Sequence, residues 1–508
     1  MTTDRRSVTL WLPPADFGVF VAYVVMLCTF VPFHEPWADE AQAWLLSRDL
    51  SVYSLLFRNL RYEGHPALWY LLLWIPTHLH VSYALFNWFS AAIASAGIYV
   101  LLRFSPFPFY LRALLPFTFF LGYQYSVVAR SYVLFPLLGF LVAHVYRVQK
   151  PRPVLMAVLL GLLANVSVHG TIVALAFAAL YVLKLRQDRT ASETATPTPQ
   201  TLRLAAAIFT GSILFVAVCL WPAADSLPRL SPTLNRVISR LSVPTPAAYT
   251  PHIPVPATAT PSAVVATAPP KAPTFGARGS RLANIPVVLG FAFAASWVLA
   301  VLYDGLLLVY LFRQRQLKMA LPAALLALFL IFVYSAPWHL GLLWVTGIIV
   351  LWTVWDSSIA PGTLDLQNIV AVFLALLCVL QLPWTFNAFR FDARNATAPD
   401  KAAAAYLHTL PVGTRIAGFD MSGGVQPYFR QNIFFNQRQT FTYFGQDPFV
   451  LSPQQVIAER PDVVVTDSYT ASAILAGNYR ETHRFCGSLY LPSHPLDPSC
   501  LYIFEPPQ

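Results

Sequence analysis

Asp39 and Glu40 stand side by side in a short polar island, Pro36-Trp37-Ala38-Asp39-Glu40-Ala41-Gln42-Ala43-Trp44, and Tyr62-Glu63-Gly64-His65-Pro66 follows it. A carboxylate held near a hydroxyl can act as a general base, and a pair can also bind a cation. Neighbouring residues on a helix point about 100° apart, so the two acids need not share one role. The structural alternative is an acidic pair capping a helix over Glu40–Ser47, with Asp39 at or near the N-cap. His65-Pro66 opens a second helix, since proline suits a first helical turn. Glu63 and His65 are equally able to hold a metal or a phosphate. Arg130 and Tyr132, in Tyr125-Ser-Val-Val-Ala-Arg-Ser-Tyr132, add a guanidinium suited to phosphate. Its alternative is an ion pair with one of the loop carboxylates. His169, in Asn165-Val-Ser-Val-His-Gly170, and His339, in Pro337-Trp-His-Leu-Gly341, complete the set. Three histidines near carboxylates are the donor types of a divalent-metal or phosphate site, although their spacing is no local metal motif.

These residues are conspicuous because charge is scarce. The 508-residue chain is 56% hydrophobic and 11% charged, against about 25% charged in soluble domains. Its apolar residues come in blocks long enough to span a bilayer, at 17–33, 82–102, 109–124, 131–147, 153–168, 170–185, 202–222, 285–312, 317–335, 338–355 and 367–385. The net charge of +10 comes largely from short basic connections between blocks, and no nucleic-acid motif accompanies it. The block at 17–33 follows Arg5 and Arg6 with no small-residue cleavage site, which reads as an uncleaved signal-anchor helix.

Basic residues mark the cytoplasmic side. Arg5/Arg6, Arg103/Arg112, Arg147/Lys150/Arg152, Lys184/Arg186/Arg189/Arg203 and Arg313/Arg315/Lys318 alternate consistently only if the short block 66–79 does not cross. That block is expected to lie along the outer face, with Trp69, Tyr70 and Trp74 at the headgroups. The expected fold is an all-α polytopic bundle of eleven crossings over residues 1–387, its N-terminus inside. The first outer loop, 34–81, carries interfacial helices. The segments 125–131, 167–170 and 334–340 share its side, so every candidate except Asp304 falls on one face. Asp304 lies within an apolar block near its cytoplasmic end and reads as paired or snorkelling structure.

A Pro/Ala/Thr-rich loop at 223–284 cannot bury a core and reads as extended. Residues 388–508 read as a small α/β domain on the outer side, with a helix at 401–408 and strands at 414–419, 462–466 and 501–504. Asp420-Met-Ser-Gly-Gly is a turn or an anion cradle. Cys28, Cys219 and Cys378 read as buried small hydrophobes, whereas Cys486 and Cys500 are expected to form a disulfide in an oxidising compartment.

An N-terminal membrane helix, Asp39-Glu40 in the first outer loop, Gly64-His65-Pro66 and Ala129-Arg130-Ser131-Tyr132, in that order, resemble the GT-C membrane glycosyltransferases. Within these they look like glycosyltransferase family 39, the protein O-mannosyltransferase and aminoarabinose transferase superfamily. The likeness covers about the first third of the chain. It implies a sugar donor on a polyprenyl phosphate and a hydroxyl acceptor on a lipid, glycan or protein. It also implies Asp39 as general base, Glu40 assisting, and Arg130 with Tyr132 and His65 on the donor phosphate. Such a donor requires no nucleotide site, and no nucleotide fingerprint is present. The aminoarabinose transferases imply a divalent metal, which here falls on Glu63 or His65 with His169. The chain departs from the family in reading His-Pro-Ala where His-Pro-Pro is frequent, and its tail matches no family domain. A bacterial inner membrane with a periplasmic tail is the expected location. The rival function is a transporter or flippase for a lipid-linked or hydrophobic substrate, which predicts an internal repeat and broken helices at midplane. Neither is visible in the sequence.

Overall fold

Proline and glycine punctuation decides where the apolar blocks become helices. The computed structural model describes residues 11–191, 197–221, 284–293, 296–441, 451–467, 474–475, 477–492 and 498–507. The predicted loop at 223–284 and Arg5/Arg6 therefore lie outside the described residues, apart from Asn284. In chain order the main helices are α1 Pro14–Phe30, α2 Ala38–Asp49, α3 Leu68–His78, α4 Phe86–Phe104, α5 Leu134–Arg147, α6 Pro153–Ala164 and α7 Val168–Ala191. They continue as α8 Pro199–Leu220, α9 Asn284–Ala292, α10 Trp297–Arg313, α11 Leu321–Phe332, α12 Pro337–Val354 and α13 Leu366–Asp392.

Among the described residues, six helical segments are long and apolar enough to cross a membrane, and three shorter apolar ones accompany them. The protein is thus a polytopic helical membrane protein, but eleven full-length crossings are not found. The physical reason lies in the blocks themselves. The block at 109–124 breaks into Phe109–Leu114, a 3-10 turn at Leu115–Phe117 around Pro116, and a π-helical turn at Phe120–Gln124. The block at 285–312 divides between α9 and α10. Block hydropathy sets which residues avoid water, whereas crossing length depends on an unbroken hydrogen-bond ladder.

Faces sort by side chain. Phe17, Val21 and Val25 of α1 point outward while Tyr23 and Leu27 are buried. Outward apolar residues also line α8 (Leu204, Leu214, Val218) and α13 (Val372, Leu376, Val379), as lipid contact requires. Helix α12 is the central one, with 83% of its residues buried. It packs on α5 and α11. Gly139 permits the approach of α5, because a Cβ there would lie 2.3 Å from Ile349, and Gly341 likewise admits the Phe120 ring of the π-helical turn (2.1 Å). Cys219 and Cys378 are buried as expected, but Cys28 is exposed because it lies on the outward face of α1.

The short helix α3 is too brief to cross. Its aromatic residues do not all sit at an interface, however, since Trp69 and Tyr70 are buried, with α3 packed against α2. Burial against a neighbouring helix outcompetes the headgroup position.

The tail begins with α14, Asp400–Leu407. Strands β1 Ile416–Gly418, β2 Val463–Thr466, β3 Arg480–Gly487 and β4 Ser499–Glu505 form one sheet in the order β1-β2-β4-β3, the first pair parallel and the rest antiparallel. The predicted strands are present; β3 was not expected, because its alternating Arg480, Glu481 and His483 lack an apolar run. Cys486 and Cys500 are cross-strand partners joined by a disulfide. Asp420–Tyr428 is a 3-10 segment packed on α2 rather than an open cradle. Arg48 donates to the Phe429 carbonyl (2.7 Å) and Thr440 donates to Asp49, so the tail rests directly on the first loop.

Candidate functional site

The polar island folds as α2 with Trp37 as N-cap, which places Asp39 second and Glu40 third in the helix. Glu40, not Asp39, performs the capping: its Oε2 accepts the Trp37 N–H at 3.1 Å. The same oxygen faces His34 Nε2 at 3.2 Å. Its Oε1 accepts from Asn87 Nδ2 (3.1 Å) and from the Ala129 N–H (2.6 Å). With a fully buried side chain and four partners, Glu40 has no lone pair left for an acceptor, so it builds the site rather than assisting at it.

His34 extends this network. Its Nδ1 lies 3.0 Å from Asp392 Oδ2 at the end of α13, and Tyr123 donates to both oxygens of Asp392 (2.8 and 3.0 Å). Burial works against a charged imidazole here, but Glu40 and then Asp392 overcome it and carry His34 up to about 10. An imidazolium donating from both ring nitrogens to two carboxylates is the consistent state. Neither His34 nor Asp392 was singled out in the sequence. The signal that revealed Asp39, a charge beside an apolar block in a charge-poor chain, applies equally to both.

Asp39 turns the other way. Its side chain is 44% exposed and pairs with Arg130, which lies between the Trp37 and Tyr132 rings with its guanidinium carbon 5.9 Å from each centroid. Burial opposes the Arg130 charge, but Asp39 beside it raises the guanidinium above its ordinary value, so Arg130 stays charged. Gly64, at φ +66°, ends the short helix Leu60–Glu63 in a left-handed turn that only glycine adopts cheaply. That turn sets Glu63 and His65 beside the Asp39–Arg130 pair, and both feel its charges. Glu63 accepts from Gln42 (2.9 Å) and Tyr70 (3.3 Å), and burial pushes its carboxyl up to about 7. Burial, reinforced by Arg130, pulls His65 down to about 4, so its ring is neutral.

Behind Arg130 the remaining candidates meet. His339 Nδ1 accepts the Ala336 N–H (3.1 Å), which leaves the proton of the neutral ring on Nε2, 2.8 Å from the Tyr132 hydroxyl oxygen. Tyr132 therefore accepts from His339, and its own proton is available to the cleft. The His169 ring lies 4.5 Å from that of His339, tilted by 39°, and the Tyr132 ring stands 6.0 Å from His65. Both His169 nitrogens and His65 Nδ1 are buried and find no partner among the described residues. All the singled-out residues of the first loop, 130–132, 169 and 339 thus lie in one neighbourhood, save that Glu40 faces away. Asp304, on α10, is not among them.

The residues named for a metal do not group as a ligand set. Among the described residues no three His, Cys, Asp or Glu side chains group as ligands. Each Glu63 oxygen accepts one hydrogen bond, from Gln42 or from Tyr70, and the His169 ring packs among those of Tyr132, Phe329 and His339. Beside Arg130 opens a small cleft, lined among others by Trp37, Gln124, Arg130, Tyr132, Trp338 and Tyr490.

No family model, no curated protein and no solved structure matches this chain.

Proposed function

We propose that this protein is an integral-membrane glycosyltransferase that moves a sugar from a polyprenyl phosphate to a hydroxyl acceptor. Its site faces the non-cytoplasmic side of what is, in this reading, a bacterial inner membrane, with the tail in the periplasm. The observation that carries the proposal is the Asp39–Arg130 pair at the edge of an aromatic cleft. A guanidinium and a carboxylate in contact hold each other in reserve. The donor phosphodiester offers Arg130 a competing anion, and as the guanidinium turns to it, Asp39 is released to act as base.

In the reaction, the acceptor oxygen forms a bond to the anomeric carbon while the bond from that carbon to the phosphate oxygen breaks. The acceptor proton passes to Asp39 and polyprenyl phosphate leaves. Arg130, with the Tyr132 hydroxyl beside it, stabilises the charge that develops on the departing phosphate. Positive charge spreads over the sugar ring in an oxocarbenium-like state. No step requires Glu40, whose oxygens are committed elsewhere.

The test is incubation of purified protein with radiolabelled polyprenyl-phosphate sugars and membranes. Label should move covalently onto an acceptor. Asp39→Asn should lower transfer by roughly 10²–10⁴-fold, the usual worth of a general base, while the protein still inserts and melts normally. Arg130→Ala should weaken donor use more than acceptor use. Unchanged transfer by Asp39→Asn removes the base assignment. Movement of label across the bilayer without a new covalent bond favours the transporter reading.

A further inference from the structure

Helix α5 begins just after the Arg130 loop and ends at Arg147, about 20 Å away along its 14 residues. Positive charge gathers at that far end. Arg103 closes α4, His144 and Arg147 close α5, Arg152 caps the start of α6, and Lys184 lies towards the end of α7. The charges of Arg152, Arg103 and Arg147 all reach the His144 imidazole, whose ring lies 4.4 Å from that of Phe104. The Arg152 N–H donates to the Tyr181 hydroxyl of α7 (3.0 Å), so the α5–α6 turn is tied to α7.

The bonding of these cations is unusual in kind. Arg147 donates to the Trp352 carbonyl (2.9 Å), the Trp355 carbonyl and the Ser357 hydroxyl (3.2 Å), while Lys184 donates to the Tyr146 carbonyl. All of these partners are neutral. Among the described residues Arg147, Arg152 and Lys184 form no ion pair with a carboxylate. Asp356, whose charge reaches Arg147, accepts instead from the Ser358 N–H (2.8 Å) and hydroxyl (2.6 Å). Asp188 is felt by Lys184 without contact. Arg112 shows the contrast, since Asp16 meets it with both oxygens (2.8 and 2.9 Å).

An apolar stripe runs along α6 from Arg152. Leu155, Val158 and Leu162 are exposed at successive turns, while α8 covers another side of this helix through Ser212 against Gly161. Cations at the helix ends, followed by outward apolar side chains, match a phosphate joined to an acyl chain. A small soluble anion would leave the stripe unused, and a zwitterionic headgroup brings its own cation.

We infer that this corner of the bundle binds an anionic phospholipid, its phosphate held by Arg103 and Arg152 and its acyl chain lying along α6. Arg147 and Lys184 add their charge from positions fixed by backbone carbonyls. The corner stands apart from the transferase reading, since neither donor nor acceptor enters it. The test places full-length protein in phosphatidylcholine nanodiscs with a trace of phosphatidylglycerol carrying a diazirine in one acyl chain, and maps the photolabelled peptides by mass spectrometry. Label should fall on α6 between Leu155 and Leu162, and unlabelled phosphatidylglycerol should displace it where further phosphatidylcholine does not. At the usual worth of one cation near the headgroups, Arg152→Gln should weaken the affinity read from displacement roughly fivefold, and Arg103→Gln with Arg152→Gln about 30-fold. Arg152→Lys should retain most of it. A diazirine phosphatidylcholine should label α6 faintly and equally in every variant. Equal displacement by phosphatidylcholine, or full affinity in the double variant, overturns the inference. Displacement by inorganic phosphate at constant ionic strength overturns it as well, because the site would then take any small anion. If phosphatidylcholine labelling falls along with that of phosphatidylglycerol, the substitutions have moved α6 and the two arginines lose their assignment.

Discussion

At the scale of single residues, two adjacent carboxylates divide their labour by helix geometry. One turn of the backbone buries Glu40 among four donors and leaves Asp39 on the rim with Arg130. The resemblance had given Glu40 an assisting role; the hydrogen bonds leave it none. Arg130 was legible in the sequence because an isolated arginine in a segment expected to face outward breaks the charge pattern. Glu63 offers the clearest pH signature. Its carboxyl, raised by burial to about 7, is mostly neutral in mild acid and becomes an anion near Asp39 as pH rises. A phosphodiester-linked donor has no ionisation of its own in this range, so its affinity should fall as pH rises through 7. Glu63→Gln should flatten that profile; titration of donor binding between pH 6 and 8 checks it. An inflection that persists in Glu63→Gln would assign the effect to another group.

At the scale of elements, the buried chain Asp392–His34–Glu40 joins three segments that no sequence pattern pairs. It fastens the end of α13 to the turn after α1 and to the start of α2, and through the Ala129 N–H it reaches the loop that carries Arg130. Removing either carboxylate strands buried donors, the Ala129 N–H and Asn87 amide for Glu40 and the Tyr123 hydroxyl for Asp392, at a cost of roughly 1–3 kcal/mol for each group left unpaired. Asp392→Ala and Glu40→Ala should therefore melt well below wild type in detergent, while Asp39→Asn, which keeps an acceptor for Arg130 at a half-exposed position, should change melting less. Equal melting of Glu40→Ala and Asp39→Asn would mean that the buried network adds nothing. The pH dependence has a definite sign. His34 is raised from 6.5 to about 10, so its stabilisation is complete below about pH 6.5 and is lost as pH climbs through 10. Thermal unfolding measured from pH 7 to 10 should show falling stability, and His34→Gln should remove that part of the slope.

At the scale of the whole molecule, the tail and the bundle act as one body around the cleft. The tail touches α2 through Arg48, Asp49 and the 3-10 segment, and its turn at 489–491 covers the site. The cross-strand disulfide joins cysteines 14 positions apart, and such a loop restricts the unfolded chain by about 3 kcal/mol in the chain-entropy view. Cys486→Ser should lower the melting temperature of the tail and loosen the turn. Limited proteolysis near 489–491 should then become faster, and an unchanged cleavage rate would show that the bond from the Ser488 N–H to the Ala396 carbonyl alone suffices. What the sequence by itself determined is the membrane class, the apolar blocks, three of the tail's four strands and its disulfide, and the residue types able to do chemistry. Hydropathy, β-periodicity and scarcity of charge are local properties, readable within a few dozen residues. Only the tertiary structure decided how many blocks form full-length helices, that Trp69 and Tyr70 turn inward, and that Glu40 belongs to His34 and Asp392. Those outcomes depend on which distant atoms meet. A carboxylate's role is set by the donors that reach it, and Asn87, Ala129 and His34 reach Glu40 from segments brought together only when the chain folds.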